Sequence, residues 1–221
     1  MTEQDAVTDN SKYRKIHNHG FVGLIDVMGS DSDIADAARV SYGSGTKTIS
    51  DDRNLVRYLV RHKHTSPLEM AEVKFHLKLP IFVMRQLVRH RTANLNEYSG
   101  RYSEMSNEFY MPEPEYLAPQ STTNKQGRDG ELTTNDKMSI RGFLYDAFTS
   151  AYEGYKCLLG KESNEPILIT GLSRELARIV MPVANYTECY WKCDLHNFFH
   201  LCKLRIDKHA QKEIVDFAEV E

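Results

Sequence analysis

"EVKFHLKLPIFVMRQLVRHR", residues 72–91, decides the fold class. Its first nine residues alternate: Val73, Phe75, Leu77 and Leu79 point one way, and Lys74, His76 and Lys78 the other. A period of two with one apolar face predicts a half-buried strand, of the kind found in antiparallel sheets. Pro80 suits the first turn of a helix, and "IFVMRQLVRHR" continues with helical spacing. Ile81, Phe82, Val83 and Leu87 anchor that helix. Arg85 and Arg89, like Gln86 and His90, stand four apart and share adjoining faces.

Outward from there, "GFVGLIDVMG" (20–29) reads as a strand ended by glycine. "DSDIADAARVSY" (31–42) predicts a helix capped by Asp31, with Ile34, Ala37, Ala38 and Val40 inward. "DRNLVRYLVRHKH" (52–64) predicts a second, with Leu55, Val56, Leu59 and Val60 in one stripe. "IRGFLYDAFTSAYEGYKCLLG" (140–160) is strongly helix-periodic through Ile140, Phe143, Leu144, Ala147, Phe148, Ala151, Tyr152, Tyr155 and Leu158, with Gly160 as a stop. "SRELARIVMP" (173–182) is a short helix after a capping serine. From Asp194 onward no breaker interrupts the chain, which reads as one long helix running off the end. Residues 1–18 are expected as a loose tail, and 19–221 as one domain, truncated if the last helix is incomplete. Residues 106–137 are expected as a long polar connection, of the kind that is usually mobile or functional.

The 221 residues carry a net charge of −3, so any anion site is local rather than a global basic field. No apolar run reaches the roughly 18 residues of a membrane span. The N-terminus is polar and unlike a signal peptide, and four cysteines are too few for a disulfide framework, which points to a cytoplasmic setting. Overall basic charge and stacking aromatics suited to nucleic acid are missing. No GxGxxG or GxxxxGK[ST] occurs.

"RHRTANLNEYSGR", residues 89–101, concentrates the chemistry. Arg89 and Arg91 close a helix, where cations are favoured; a basic helix end in solvent would look the same. The following "NEYSGR" adds carboxylate, phenol, hydroxyl and guanidinium, with Gly100 permitting close backbone approach. That is a loop suited to wrapping a polar anion. Ser99 lacks the GxSxG elbow of a nucleophile. "HNFFH" (196–200) has a zinc-compatible i, i+4 spacing but no adjacent glutamate, so no metal site is assigned. "CYWKC" (189–193) has three intervening residues rather than the two of a redox pair, and reads as small buried side chains.

"RHR", seven residues, then "S" resembles the signature of the flavin-dependent thymidylate synthases. "GFVGLIDVMGSD", "AARVSY", "HKHTSPLE", "LPIFVMRQLVRHR", "NEYSGRYSE", "ARIVMP" and "LRIDKHAQKEI" follow that family in order, over roughly residues 20–215. The resemblance implies an α/β fold with a mostly antiparallel central sheet flanked by helices, assembling as a homotetramer with active sites shared between subunits. It implies reductive methylation of dUMP to dTMP, with methylenetetrahydrofolate as carbon donor, FAD as redox cofactor and NADPH as reductant. Gln86, Arg89, Glu97, Tyr98, Ser99, Gly100, Arg101, Arg178 and Arg205 resemble the family's dUMP clamp, Arg205 polarising the uracil ring as the catalytic group. His64, Ser66, Arg89, His90, Arg91, Glu97, Asp194, His196 and His200 resemble FAD contacts. Asp194 and His196 depart from the commoner asparagine and arginine, Met70 and Asn94 from a common histidine and serine. The alternative expectation is a flavin- or nucleotide-binding relative with impaired catalysis.

Overall fold

The computed structural model describes residues 12–42, 49–161 and 170–220. Among these lie five strands, β1 (Tyr13–Ile16), β2 (Gly20–Met28), β3 (Glu72–Pro80), β4 (Asn94–Glu97) and β5 (Tyr186–Asp194). They form one sheet in the order β1-β2-β3-β5-β4, every pair antiparallel. Seven helices flank it: α1 (Asp31–Arg39), α2 (Ile49–Arg61), α3 (Ile81–Leu87), α4 (Thr134–Leu158), α5 (Arg174–Ala177), α6 (Leu195–Arg205) and α7 (Lys212–Ala218). The α/β, mainly antiparallel expectation holds.

β3 is the central strand, and its alternation is as read. Val73, Phe75, Leu77 and Leu79 are buried. Lys74, His76 and Lys78 meet Asp26, Glu188 and Glu108 on the opposite face. The inner face joins Cys189, Trp191 and Cys193 of β5 to Val83, Met84 and Leu87 of α3, Leu201 of α6 and Ile214 and Phe217 of α7. One shared core thus fixes α3, α6 and α7, and with them Arg89 and Arg91 just beyond α3 and Arg205 in the last turn of α6. Leu77 is fully buried and pairs with Val22 and Cys189. Leu77→Ala is expected to cost about 2–5 kcal/mol of unfolding free energy by leaving a cavity between the strands and helices. Urea unfolding measures this; a loss below about 1 kcal/mol would contradict the packing.

Several expectations are corrected. The stretch read as a tail to residue 18 holds β1, which buries Ile16 and packs the Tyr13 ring edge-on against Phe21; residues 1–11 lie outside the described residues. Ser30, not Asp31, stands at the N-cap of α1. Val40, expected inward, is 81% exposed because the helix tightens into a 3-10 turn at Val40–Tyr42. α2 starts earlier and ends at Arg61, with Val60 outside.

The long connection ends sooner than expected. α4 begins at Thr134, under a reciprocal capping box between Thr133 and Asp136. Its apolar stripe faces outward in part: Phe143 is 74% exposed and Ala147 is exposed too, while only Tyr155 is buried. "SRELARIVMP" divides into α5 and a 3-10 turn, Arg178–Val180.

The single terminal helix is instead α6 and α7. The Asp207 carboxylate accepts from the His209 backbone N–H at 2.8 Å, and the Ala210 N–H bonds the Asp207 carbonyl. That local turn competes with the helical ladder and breaks it. β4 and β5 were not foreseen, although Cys189, Trp191 and Cys193 alternate with Glu188, Tyr190 and Lys192. No helix of the described residues is long and apolar enough to cross a membrane.

Candidate functional site

Two polar groups flank β4. The first gathers the end of α3 with the end of α6. α3 stops at Leu87, and the His90 N–H bonds the Leu87 carbonyl, turning "RHR" off the helix. Arg205, in the last turn of α6, reaches back to it. Its Nε donates to His90 Nε2 at 3.0 Å, and a terminal nitrogen donates to the Gln86 carbonyl at 3.2 Å. Since Nε2 accepts, the His90 proton sits on Nδ1. Burial, then the charges of Arg205 and His200, push the His90 pKa down to about 4. His200 contributes a ring 6.1 Å from that of His90. Burial and then the neighbouring Arg89 lower the Arg205 pKa as well. Arg89 and Arg91 are exposed, and neither they nor Arg205 form a salt bridge among the described residues. Uncompensated like charges in one place call for an anionic ligand.

The second group is the loop after β4 with α5. Glu97 accepts from the Thr187 hydroxyl at 2.8 Å, and the Tyr98 N–H bonds the Glu188 carbonyl at 2.7 Å, holding the loop on β5. The Tyr98 hydroxyl donates to the Glu104 carbonyl. Ser99 uses its carbonyl to accept from Tyr102 and Ser103, and its Oγ accepts from the Arg101 N–H at 3.3 Å. Gly100 is buried. A Cβ there would lie 2.6 Å from Met105 Sδ, so any other residue would push the Met105 side chain aside, and it would stand in ordinary contact, 3.4 Å, with Arg178 Cδ. Arg101 pairs with Glu175 at 3.1 Å, and Arg174 donates to the Tyr102 carbonyl at 3.0 Å. A cavity of about 480 Å³ opens beside Arg101, Tyr102, Lys161 and Arg174.

A third region adjoins the start of α6. His64 and Ser66 are exposed at the 3-10 turn Ser66–Met70, which packs against α6. Leu195 joins the Leu68 cluster, and its N–H bonds the Ala71 carbonyl at 2.9 Å. Asp194 caps α6: one carboxylate oxygen accepts from the Asn197 N–H at 2.9 Å, the other from the Asn197 side-chain amide at 2.7 Å. That cap gives the departure from asparagine a local physical reason. Both oxygens are engaged within the first turn of α6. The two exposed cations just beyond the end of α3, Arg89 and Arg91, are groups that fit the diphosphate of a cofactor.

Among the described residues no histidine bonds the Ser99 hydroxyl, which accepts from the Arg101 N–H, so they build no activated nucleophile there. The cysteines form no disulfide; Cys189 and Cys193 are buried in β5, and Cys157 and Cys202 are half-buried on helices. Among the described residues no group of three or more His, Cys, Asp or Glu could hold a metal ion. Gln211 was not foreseen: its Oε1 accepts from Gln86 Nε2 at 2.6 Å. Its place in "KHAQKEI", beside Arg205, was the available signal. Arg174 and Glu175, which brace the second loop, carried none beyond helical propensity.

A family model described as thymidylate synthase complementing protein matches residues 23–220. The chain is 50% identical over 202 residues to the flavin-dependent thymidylate synthase of Ruegeria pomeroyi, spanning 91% of this chain and 65% of that protein. It is 52% identical over 206 residues to the protein of that name from Wolbachia pipientis wMel, spanning 93% of this chain and 69% of the relative. The chain thus spans about two thirds of the length of these relatives. Among solved structures, a UMP/dUMP methylase, PolB, from Streptomyces cacaoi bound with 5-Br dUMP superposes with a TM-score of 0.80 at 32% identity, over 92% of this chain and 88% of that one.

Proposed function

Because the chain belongs to the family of flavin-dependent thymidylate synthases, we propose that it methylates dUMP to dTMP. Methylenetetrahydrofolate is the carbon donor, FAD the redox cofactor and NADPH the reductant in this reading. The observation that carries it is the meeting of Arg205, Arg89 and Gln86 at the ends of α3 and α6, cations without a carboxylate partner. A nucleotide monophosphate supplies both the anion and the polar ring edge such a site would take.

Arg178, Ser99 and Arg101 bind the phosphate in this reading, with Arg178 lying beside Gly100. Arg101 exchanges its partner Glu175 for the ligand, or holds both. Arg205 faces the pyrimidine. A guanidinium against the carbonyl edge stabilises negative charge as it develops on the ring, which eases loss of the N3 proton and enriches C5. His90 receives the Arg205 Nε–H and so fixes the plane of the fork. Glu97 and Tyr98 hold the loop against β5. Arg89, His90 and Arg91, with His64, Ser66, Asp194, His196 and His200 around the start of α6, make up the flavin-binding surface. FAD, when bound, supplies the redox chemistry that no side chain here provides.

The homotetramer is part of the same proposal. The two polar groups flank β4 as open surfaces, and apolar side chains on α4 and the 3-10 turn after α5, including Phe143, Tyr145 and Ile179, stand exposed. Burying that area between copies would complete sites from two chains. A soluble, cytoplasmic biosynthetic enzyme fits these features.

The mechanism uses no protein nucleophile. With all four cysteines changed to serine or alanine, and separately in Ser99→Ala, dTMP formation at saturating dUMP remains measurable under anaerobic conditions. Ser99→Ala raises the dUMP concentration required. Inactivity of the folded, flavin-loaded variants, or a covalent dUMP adduct on any of these residues, would overturn the assignment.

A further inference from the structure

Gln86 holds the chain beyond α6 at two points. Its backbone carbonyl receives Arg205 at 3.2 Å, and its side-chain amide donates to Gln211 at 2.6 Å. The turn between them, residues 206–210, is thereby kept beside the cation site. Ala210 packs against the central core and donates its N–H to the Asp207 carbonyl at 2.8 Å. His209 stands on this turn with its side chain 63% exposed. Two residues of chain span at most about 7 Å, so the His209 backbone lies within that reach of Gln211.

Asp207 Oδ1 accepts from the backbone N–H of His209 and from its ring Nδ1, each at 2.8 Å. Those bonds, the backbone one first, hold the Asp207 pKa below its ordinary value, so the group is an anion. A carboxylate only accepts, so the neutral ring carries its proton on Nδ1 and its lone pair on Nε2. Nε2 has no hydrogen bond among the described residues. The backbone bond suffices for the turn. The ring bond fixes a tautomer and a direction, as an acid does when it orients a basic imidazole. His90 lacks that freedom, because its Nε2 already accepts from Arg205.

The proposed reaction has to remove a proton: dUMP carries hydrogen on C5, where dTMP carries a methyl group. We propose that His209 is the general base that takes this C5 proton, with Asp207 as its positioning residue. The C5–C6 double-bond pair of the pyrimidine forms the bond to the methylene carbon of the folate, and the carbon–nitrogen pair goes to the folate nitrogen. The C5–H bond then breaks. Its electron pair re-forms the C5–C6 double bond, and the proton passes to His209 Nε2 and from the exposed ring to water. The two electrons that complete the methyl group come from NADPH in the proposed function and are no part of this step. This inference rests on the proposed dUMP reading.

The test follows tritium release from dUMP tritiated at C5, together with dTMP, in single turnovers of FAD-loaded protein at saturating dUMP. Wild type is compared with His209→Asn, and with His209→Ala with and without added imidazole. Asparagine can keep the bond to Asp207 but has no basic nitrogen. A positioned base contributes about a hundredfold or more. Both variants should therefore release tritium and form dTMP about a hundredfold more slowly, with the dUMP dissociation constant within about threefold of wild type. Imidazole should restore His209→Ala about tenfold, which a merely structural role would not allow. The exposed ring can be removed without touching the core, and if one variant does not fold the other decides. A rate within about threefold of wild type in folded His209→Asn, or a slow His209→Ala that imidazole does not restore, overturns the base and leaves the function standing. Wild-type protein that forms no dTMP overturns both.

Discussion

Replacing Arg205 with alanine is expected to abolish dTMP formation while the protein stays folded and keeps its flavin. Arg205 sits in the last turn of α6, clear of the central core that Leu201 anchors, so losing it leaves α6 packed. Its fork joins His90 to the Gln86 backbone, and among the described residues no other cation bonds both. Loss of a charge-assisted bond costs about 1.5–3 kcal/mol in binding, roughly ten- to hundredfold in the dUMP dissociation constant. The rate falls further, because stabilisation of charge on the ring is lost in the transition state itself. Arg205→Lys should recover little: a lysine keeps the charge but cannot bridge His90 and Gln86 with a planar fork. Single-turnover dTMP formation is the measurement, and turnover within threefold of wild type in either variant would remove Arg205 from the mechanism.

The second large effect is with pH. His90 is held neutral, its pKa lowered from 6.5 to about 4 by burial first and then by Arg205 and His200. A base whose folded pKa is depressed contributes stability that is full above pH 6.5 and shrinks as pH falls towards 4. The Arg205 contact follows the folded value: His90 accepts at pH 5 and ceases to accept as it protonates near pH 4. Arg205 is then repelled by an imidazolium. Binding of dUMP is expected to weaken about tenfold through that range beyond what the phosphate's own titration causes. In His90→Asn, whose carbonyl accepts at every pH, the extra loss should vanish. NMR titration of His90 checks the cause directly. A His90 pKa near 6.5 in the folded protein, or one that does not rise in Arg205→Ala, would contradict it.

Residues 72–91 were readable because β3 and α3 each present a pattern that one physical demand produces. One face of β3 is core, and α3 begins where Pro80 ends the ladder. The same rule holds in β5, where buried Cys189, Trp191 and Cys193 alternate with Glu188, Tyr190 and Lys192, but a paired-cysteine spacing masks that period in the bare sequence. α4 shows the opposite difficulty. Its periodicity is real, yet Phe143 and Ala147 meet solvent, because a stripe records that a face wants covering and not what covers it. The break between α6 and α7 depends on a side-chain turn at Asp207 that propensity does not reveal.

For the site, charge clusters marked Arg89–Arg91 and Ser99–Arg101 as anion-binding stretches. Only the family pattern joined them to Arg178 and Arg205, which stand roughly 80 and 100 residues away in sequence. What neither gave was the accompanying structure: the tautomer of His90 and the cap made by Asp194. Those depend on contacts between distant segments, and no local spacing encodes them.

The central claim is tested most directly by following flavin absorbance anaerobically. Purified protein loaded with FAD and bleached by NADPH is mixed with dUMP, with methylenetetrahydrofolate, and with both. The account predicts rapid recovery of the oxidised spectrum, with an equivalent of dTMP, only when both are present. Recovery without dTMP, or dTMP formed without any change at the flavin, would contradict it.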